Sequence, residues 1–169
     1  MYLFTDGSVD PETKIGFGGY LATTDLDSSD ERSINLQRFE NTTPAKLELQ
    51  TLLWALENLQ SREYPVWIYT DSQNIVGLPG RRVRLEASSC HSRRGMPIQN
   101  GQLYQKFFKA IDSLDCHLVK VTGHQPKLGK DGVDLLFTLV DRATRNALRE
   151  HLSRNRFVPR IRRSSFSQP

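Results

Sequence analysis

The chain has 169 residues, 37% of them hydrophobic and 25% charged, a composition typical of one globular domain with a buried core. No segment approaches the ~18 apolar residues of a membrane span and the N-terminus is unlike a signal peptide, so we expect a soluble, cytoplasmic protein with no membrane partner and, by default, a monomer. Cys90 and Cys116 lack metal-ligand spacing, which argues against a zinc site or disulfide framework and predicts reduced, structural thiols.

Three strands and a helix are predicted in the first part of the chain. Residues 2–6 and 15–22 have strand composition and flank a turn-rich segment, and residues 33–39 alternate polar and apolar side chains. Thr43 and Pro44 are typical of a helix start, and leucines then recur at helical spacing to about residue 60.

The second part of the chain predicts two further strands and three helices. Residues 66–70 form a short apolar strand, and a short helix is expected from Ser72. Glycines and prolines between residues 77 and 97 predict a protruding loop region, after which helical periodicity returns at 103–114. Residues 117–122 alternate as a fifth strand, 123–132 read as a loop, and a final helix covers about 135–152.

This order of elements predicts an α/β fold, with a five-stranded mixed β-sheet and helices packed on both faces. We expect one domain over residues 1–153 and a weakly anchored basic tail over residues 154–169.

Positive charge is concentrated in two segments. Residues 151–169 contain five arginines and no acid, whereas the rest of the chain, with 18 basic and 19 acidic side chains, is nearly neutral. A second cluster lies in the middle of the chain and consists of Arg81, Arg82, Arg84, Arg93 and Arg94. Such clusters favour a polyanionic partner, although a solvated surface and a disordered tail explain either cluster alone equally well.

Three acids occupy recurring positions at the ends of the predicted elements. Asp6 ends the first strand, Asp71 ends the fourth, and Glu48 lies one turn into the helix on its apolar side. Turn chemistry explains each aspartate taken alone. If strands one and four are neighbours, however, the acids meet, and because no basic residue adjoins them in sequence, their repulsion predicts a bound divalent cation.

Oxygen ligands without a Cys or His cluster favour Mg²⁺ or Mn²⁺ over zinc. Two such ions can activate water and stabilise the leaving oxygen of an in-line displacement. The acids therefore predict phosphodiester hydrolysis.

Five motifs together resemble those of the type 1 ribonucleases H over about residues 1–150: FTDGS with Asp6, KLELQTLLWAL with Glu48, YTDSQ with Asp71, VKVTGHQ with His124, and VDRATRNA with Asp141. The resemblance implies a ribonuclease H-like fold and an endoribonuclease that cuts the RNA strand of RNA–DNA hybrids. It also implies that Asp6, Glu48, Asp71 and Asp141 ligate two Mg²⁺ ions, with Mn²⁺ as a possible substitute and no small-molecule cofactor. His124 would shuttle a proton or assist product departure.

The resemblance extends in part to nucleic-acid contacts. Gln73 matches a position that contacts the hybrid in the minor groove, and Thr43 matches one that helps hold a DNA-strand phosphate; a helix cap explains either residue equally well. Pro44 and Ala45 stand where many relatives carry paired asparagines. The arginine-rich middle segment lacks the tryptophans usual in the family, so its arginines would act through charge alone.

Some alternatives stay open at this point. Asp131 or Asp134 could replace Asp141 as the fourth ligand, but DRATRNA resembles the start of the family's helix, and Asp134 also suits a helix N-terminus. The fold also serves junction resolvases, transposase-type enzymes and 3′ exonucleases, although the last usually carry a DxE motif that is absent after Asp6. A non-catalytic module that binds hybrids through its arginines is a further alternative.

Overall fold

The structure is a computed structural model that describes residues 1–27, 33–59, 65–122 and 132–156. No helix within these ranges is long and apolar enough to cross a membrane. Along the described chain the elements are β1 (Tyr2–Asp10), β2 (Ile15–Thr23), β3 (Asn35–Phe39), α1 (Pro44–Glu57), β4 (Val66–Thr70), α2 (Gln73–Val76), α3 (Leu78–Ala87), α4 (Gly101–Ser113), β5 (Cys116–Lys120) and α5 (Gly132–Arg156).

The strands form one mixed sheet in the order β3-β2-β1-β4-β5. The hairpin pairs β1–β2 and β2–β3 are antiparallel, whereas β1–β4 and β4–β5 are parallel. The connection from β1 to β4 includes α1, as parallel strands require. Because β1 and β4 run in the same direction, their carboxyl ends lie at the same edge of the sheet. The predicted five-stranded mixed sheet is confirmed.

Helices cover both faces of the sheet, as predicted. On one face, α1 and α4 bury a core around Leu49, Leu52 and Phe107. On the other face, α5 buries Leu136 and Val140 in a second core with Phe4 and Leu21 of the sheet. Burying an apolar side chain of this size contributes about 1.5–3 kcal/mol, so the two cores fix α1 and α5 against opposite sides of β1.

The arginine-rich middle segment differs from its prediction. Residues 78–87 form the helix α3 instead of a loop, with Gly77 at the junction between α2 and α3. Pro79 lies in the first turn, where no backbone N–H is needed for the helix. Leu78 and Leu85, seven residues apart, lie on the same side of the helix and are buried in the core. Their burial stabilises a helix in a segment where glycine and proline suggest a break.

Two adjacent glycines of β2 allow α1 and α5 to approach the sheet closely. Gly18 and Gly19 are the register partners of Gly7 and Asp6 in β1. A Cβ atom at Gly18 would overlap the Thr51 side chain of α1, and one at Gly19 would lie 2.8 Å from Thr144 Cγ2 of α5. Because Gly18 and Gly19 have no side chains, α1 and α5 pack closely against the two faces of the sheet beside Asp6.

Replacing Gly18 by Ala should therefore destabilise the protein. The added methyl group overlaps buried Thr51, which is fully inaccessible to solvent, and overpacking of this kind costs typically 1–3 kcal/mol. Urea unfolding measures the change. Gly80→Ala is the matched control, because a Cβ there meets nothing within 4 Å and alanine is the better helix former by ~1 kcal/mol. Equal stability of the two variants would contradict this account of Gly18.

Candidate active site

Asp6 and Asp71 lie at corresponding positions beside each other at the edge of the sheet. The last register pair between β1 and β4 is Phe4 with Tyr69, and each aspartate is two residues beyond it. The sequence predicts a first strand that ends at Asp6, but β1 continues to Asp10 and pairs with β2 alone beyond Phe4. Asp6 therefore sits inside a fixed strand, next to the point where β4 gives way to a loop.

Burial and neighbouring charges perturb the Asp6 carboxyl group. Its pKa is raised to about 7, first by burial and then by the negative charges of Asp71 and Asp141, while a hydrogen bond from the Gly7 backbone N–H partly opposes the shift. Removal from water disfavours the charged form, and like charges nearby add to that effect. The protein therefore compensates only part of the negative charge around the Asp6 carboxyl group.

Glu48 extends from α1 toward the same place and is held by Ser72. The Ser72 hydroxyl donates a hydrogen bond of 2.5 Å to Glu48 Oε2 and accepts one from the Ile75 backbone N–H, which caps α2. The pKa of Glu48 is raised by burial, lowered by the Ser72 hydrogen bond and raised by the charge of Asp71. Asp71 consequently acts on both Asp6 and Glu48, which links the carboxylates of β1 and α1.

Asp141 reaches the site from α5. Its carboxyl group lies within hydrogen-bonding reach of Asp6, and its other partner is Arg145, whose Nε lies 2.8 Å from Asp141 Oδ1. Thr144 of α5 is fully buried. Its hydroxyl lies 2.9 Å from the Asp141 backbone oxygen and 3.4 Å from Asp6 Oδ2. The structure therefore brings together the four acids that the motifs single out.

The arrangement is a set of pairs and not a closed cage. As the side chains stand, no group of three or more His, Cys, Asp or Glu residues in the described part of the chain could hold a metal ion. Hydroxyl groups and a guanidinium contact three of the carboxylates instead. The chemistry of the donors nevertheless fits a hard divalent cation, because all are carboxylate oxygens and burial and repulsion raise the pKa of both Asp6 and Glu48.

The other proposed ligands are placed differently. Asp134 lies in the first turn of α5, about two turns before Asp141, and is not among the charges that shift the pKa of Asp6. Its position suits the positive end of the helix dipole. His124 and Asp131 lie outside the described residues, so the predicted role of His124 stays a prediction.

The two predicted nucleic-acid contacts lie at the starts of α1 and α2. Gln73 is the first residue of α2, is exposed, and accepts a hydrogen bond of 2.7 Å from Lys120 Nζ. Thr43 occupies the N-cap position of α1 without a side-chain capping bond. It borders a groove of about 660 Å³ between the start of α1, the 89–99 loop and the start of α4. The first turns of two helices thus border one groove.

The five arginines of the middle cluster divide into two groups. Arg81 donates hydrogen bonds to Gly77 and Asn74, and Arg82 binds both oxygens of Asp112 at 2.6 and 2.7 Å. These two residues fasten α3 to its neighbours. The side chains of the remaining three are exposed and project from α3 or from the loop that follows it: Arg84, Arg93 and Arg94.

Three residues at the site were missed in the sequence. The sequence predicts Ser72 only as the start of a helix. Thr144 and Arg145 lie within the VDRATRNA motif, but no role is predicted for either side chain. A Ser directly after Asp71 and residues three and four positions after Asp141 on a helix are the signals that point to them, because such spacing places side chains beside the acid.

Comparison with known proteins gives a consistent result. A family model described as RNase H matches residues 1–142. Among solved structures, the chain is similar to one described as the foamy viral protease-reverse transcriptase in complex with dsDNA. The TM-score is 0.65 and the identity 14%, over 86% of this chain and 94% of that chain. At this identity the likeness shows the fold alone. A search of curated proteins found no significant match.

The family match covers most of the chain and includes all four acids of the site. It agrees with the sheet order, the helices on both faces and the motifs that carry the acids. The chain therefore belongs to the RNase H family, whose members are nucleases that act on RNA–DNA hybrids.

Proposed function

We propose that this protein is an endoribonuclease that hydrolyses the RNA strand of RNA–DNA hybrids by two-metal-ion catalysis. One observation carries the proposal: carboxylates from β1, α1, the end of β4 and α5 lie close together at one edge of the sheet, where Asp71 and Asp141 raise the pKa of Asp6 and Asp71 raises that of Glu48. Asp6, Glu48, Asp71 and Asp141 would hold the ions. The chemistry supplied by two divalent ions is activation of the attacking water and stabilisation of the leaving oxygen.

The surrounding side chains hold the acids in place for this chemistry. Ser72 fixes one oxygen of Glu48 from the start of α2, and Thr144 ties α5 to Asp6. Such supporting hydrogen bonds limit the orientations that a ligating carboxylate can adopt. His124 is proposed to move a proton or assist product departure, as the motif implies.

Substrate binding is proposed to use the groove beside Thr43 and the exposed side of α2. The first turns of α1 and α4 both line that groove, and the positive end of a helix dipole suits a phosphate of the DNA strand. Gln73, the exposed first residue of α2, would contact the minor groove. Because Pro44 and Ala45 offer no side-chain hydrogen bonds to the RNA, recognition rests on groove shape and 2′-hydroxyls.

The exposed arginines should contribute affinity through charge. Removal of Arg84, Arg93 and Arg94 together should weaken hybrid binding and reduce the slope of log affinity against log salt by roughly one unit for each phosphate that is no longer neutralised, without slowing the chemical step at saturation. Equilibrium binding at several salt concentrations measures the slope. Arg38→Gln on β3 is the control, and an unchanged slope in the triple variant would assign these arginines to plain surface.

Cleavage of three substrates tests the proposed function. Purified protein with Mg²⁺ should cut the RNA strand of a hybrid, leave duplex DNA and branched DNA intact, and lose all activity in a chelator. Cleavage of branched DNA in place of the hybrid would identify a resolvase. Salt-dependent binding of the hybrid without any cleavage would identify a binding module, and either result would overturn the proposal.

A further inference from the structure

An arginine competes with any cation for one of the four acids. Arg145 lies one turn after Asp141 on α5, and its Nε is 2.8 Å from Asp141 Oδ1. The Asp141 side chain is only 19% exposed, so the ion pair is shielded from water on one side. Partial burial strengthens such a pair compared with one in free solution.

The ion pair involves a carboxylate that is proposed to bind the metal ions. Asp141 faces Asp6 with its carboxyl group and Arg145 with Oδ1. A carboxylate oxygen that accepts a hydrogen bond from a guanidinium donates less electron density to a cation, and the arginine's charge repels that cation in addition. Release of Asp141 from Arg145 is then part of the cost of filling the site.

We propose that Arg145 is a built-in counterion of Asp141 that opposes divalent-cation binding and so raises the Mg²⁺ concentration at which the site fills. The inference rests on the proposed function, because it assumes that Asp141 is a ligand. Arg145 acts through Asp141 and is a positioning residue, not a catalytic one.

Arg142 provides a matched comparison on the same helix. It carries the same charge one residue after Asp141 and is exposed. A substitution at Arg142 changes the net charge of α5 as much as one at Arg145 but leaves the ion pair with Asp141 intact. A difference between the two variants therefore isolates the pair.

Titration calorimetry with Mg²⁺ alone tests the inference without an activity assay. Arg145→Gln should bind Mg²⁺ roughly fivefold or more tightly than the parent, Arg142→Gln should change the affinity by less than about twofold, and Arg145→Lys should stay near the parent because the charge is kept. Circular dichroism checks that each variant is folded, and Arg145→Met, which removes the same charge and should show the same gain in affinity, replaces Arg145→Gln if that variant is poorly folded.

Two failures are distinguishable in this experiment. If the parent binds Mg²⁺ and Arg145→Gln binds it no more tightly than Arg142→Gln, the counterion role is wrong and the proposed function stands. If the parent binds no Mg²⁺ with or without hybrid, the proposed metal site fails and the inference fails with it.

Discussion

Asp71→Asn should lower the rate of RNA-strand cleavage on the order of a thousandfold while leaving the protein folded. Asp71 is the acid whose charge acts on both Asp6 and Glu48, so its loss removes the carboxylate that links the two sides of the proposed metal site. Metal-ion stabilisation of the transition state contributes several kcal/mol, and each 1.4 kcal/mol is tenfold in rate. Single-turnover cleavage of a labelled hybrid in saturating Mg²⁺ measures the effect.

The same assay separates Asp141 from Asp134, the two candidates for the proposed fourth ligand that lie among the described residues. Asp141→Asn should lose most of its activity, because Asp141 contacts Asp6, whereas Asp134→Asn should cleave near the parent rate. Asp134→Asn removes a favourable helix-dipole interaction of about 0.3–1 kcal/mol and serves as the control for a charge lost from α5. Parent-like cleavage by Asp71→Asn, or inactivity of Asp134→Asn alone, would contradict the assignment of the acids.

Asp6→Asn should stabilise the metal-free protein at pH 8 while abolishing cleavage. Burial and neighbouring acids raise the pKa of Asp6 from 3.8 to about 7 in the folded state. Between these two pH values the folded protein binds more protons than the unfolded chain, so the contribution of Asp6 to stability is greatest below about pH 4 and is lost as the pH rises to about 7. One pKa unit corresponds to about 1.4 kcal/mol, so the gain on substitution should be on the order of 2–4 kcal/mol.

Chemical unfolding in a chelating buffer at pH 5 and pH 8 measures this effect. The parent should lose stability between the two pH values, and Asp6→Asn should lose much less. Glu57→Gln removes an exposed charge from the end of α1 and is the control. Added Mg²⁺ should then stabilise the parent more than Asp6→Asn, because a ligand that binds only the folded state raises its stability. Identical pH profiles for the parent and Asp6→Asn would be incompatible with a strained acid at this position.

The most periodic segments were predictable from the sequence because local pattern and burial agree there. The leucine spacing of α1 and the apolar run of β4 predict boundaries within a few residues of those observed. The four acids could be identified because each lies within such an element or directly after it, in a motif typical of the family. Their convergence depends on the β1–β4 pairing, which the sequence suggests only through the resemblance.

Other features could not be read from local pattern. The helix α3 depends on Leu78 and Leu85 packing into the core, and glycine and proline in the same segment conceal that dependence. The sequence groups Arg81 and Arg82 with the predicted nucleic-acid-binding arginines, yet they bind groups brought near by folding, including Asp112, which is 30 positions away from Arg82 in the sequence. The value of an arginine for nucleic-acid binding is therefore set by what its side chain already contacts.

We propose that the carboxylates of Asp6, Glu48, Asp71 and Asp141 share divalent cations. A crystal structure of the protein soaked with Mn²⁺, with anomalous scattering to locate the ion, tests that claim most directly. We predict a strong anomalous peak in contact with both Asp6 and Asp71, and its loss in Asp71→Asn crystals. A peak located away from these carboxylates, or none at a concentration that supports cleavage, would contradict the account.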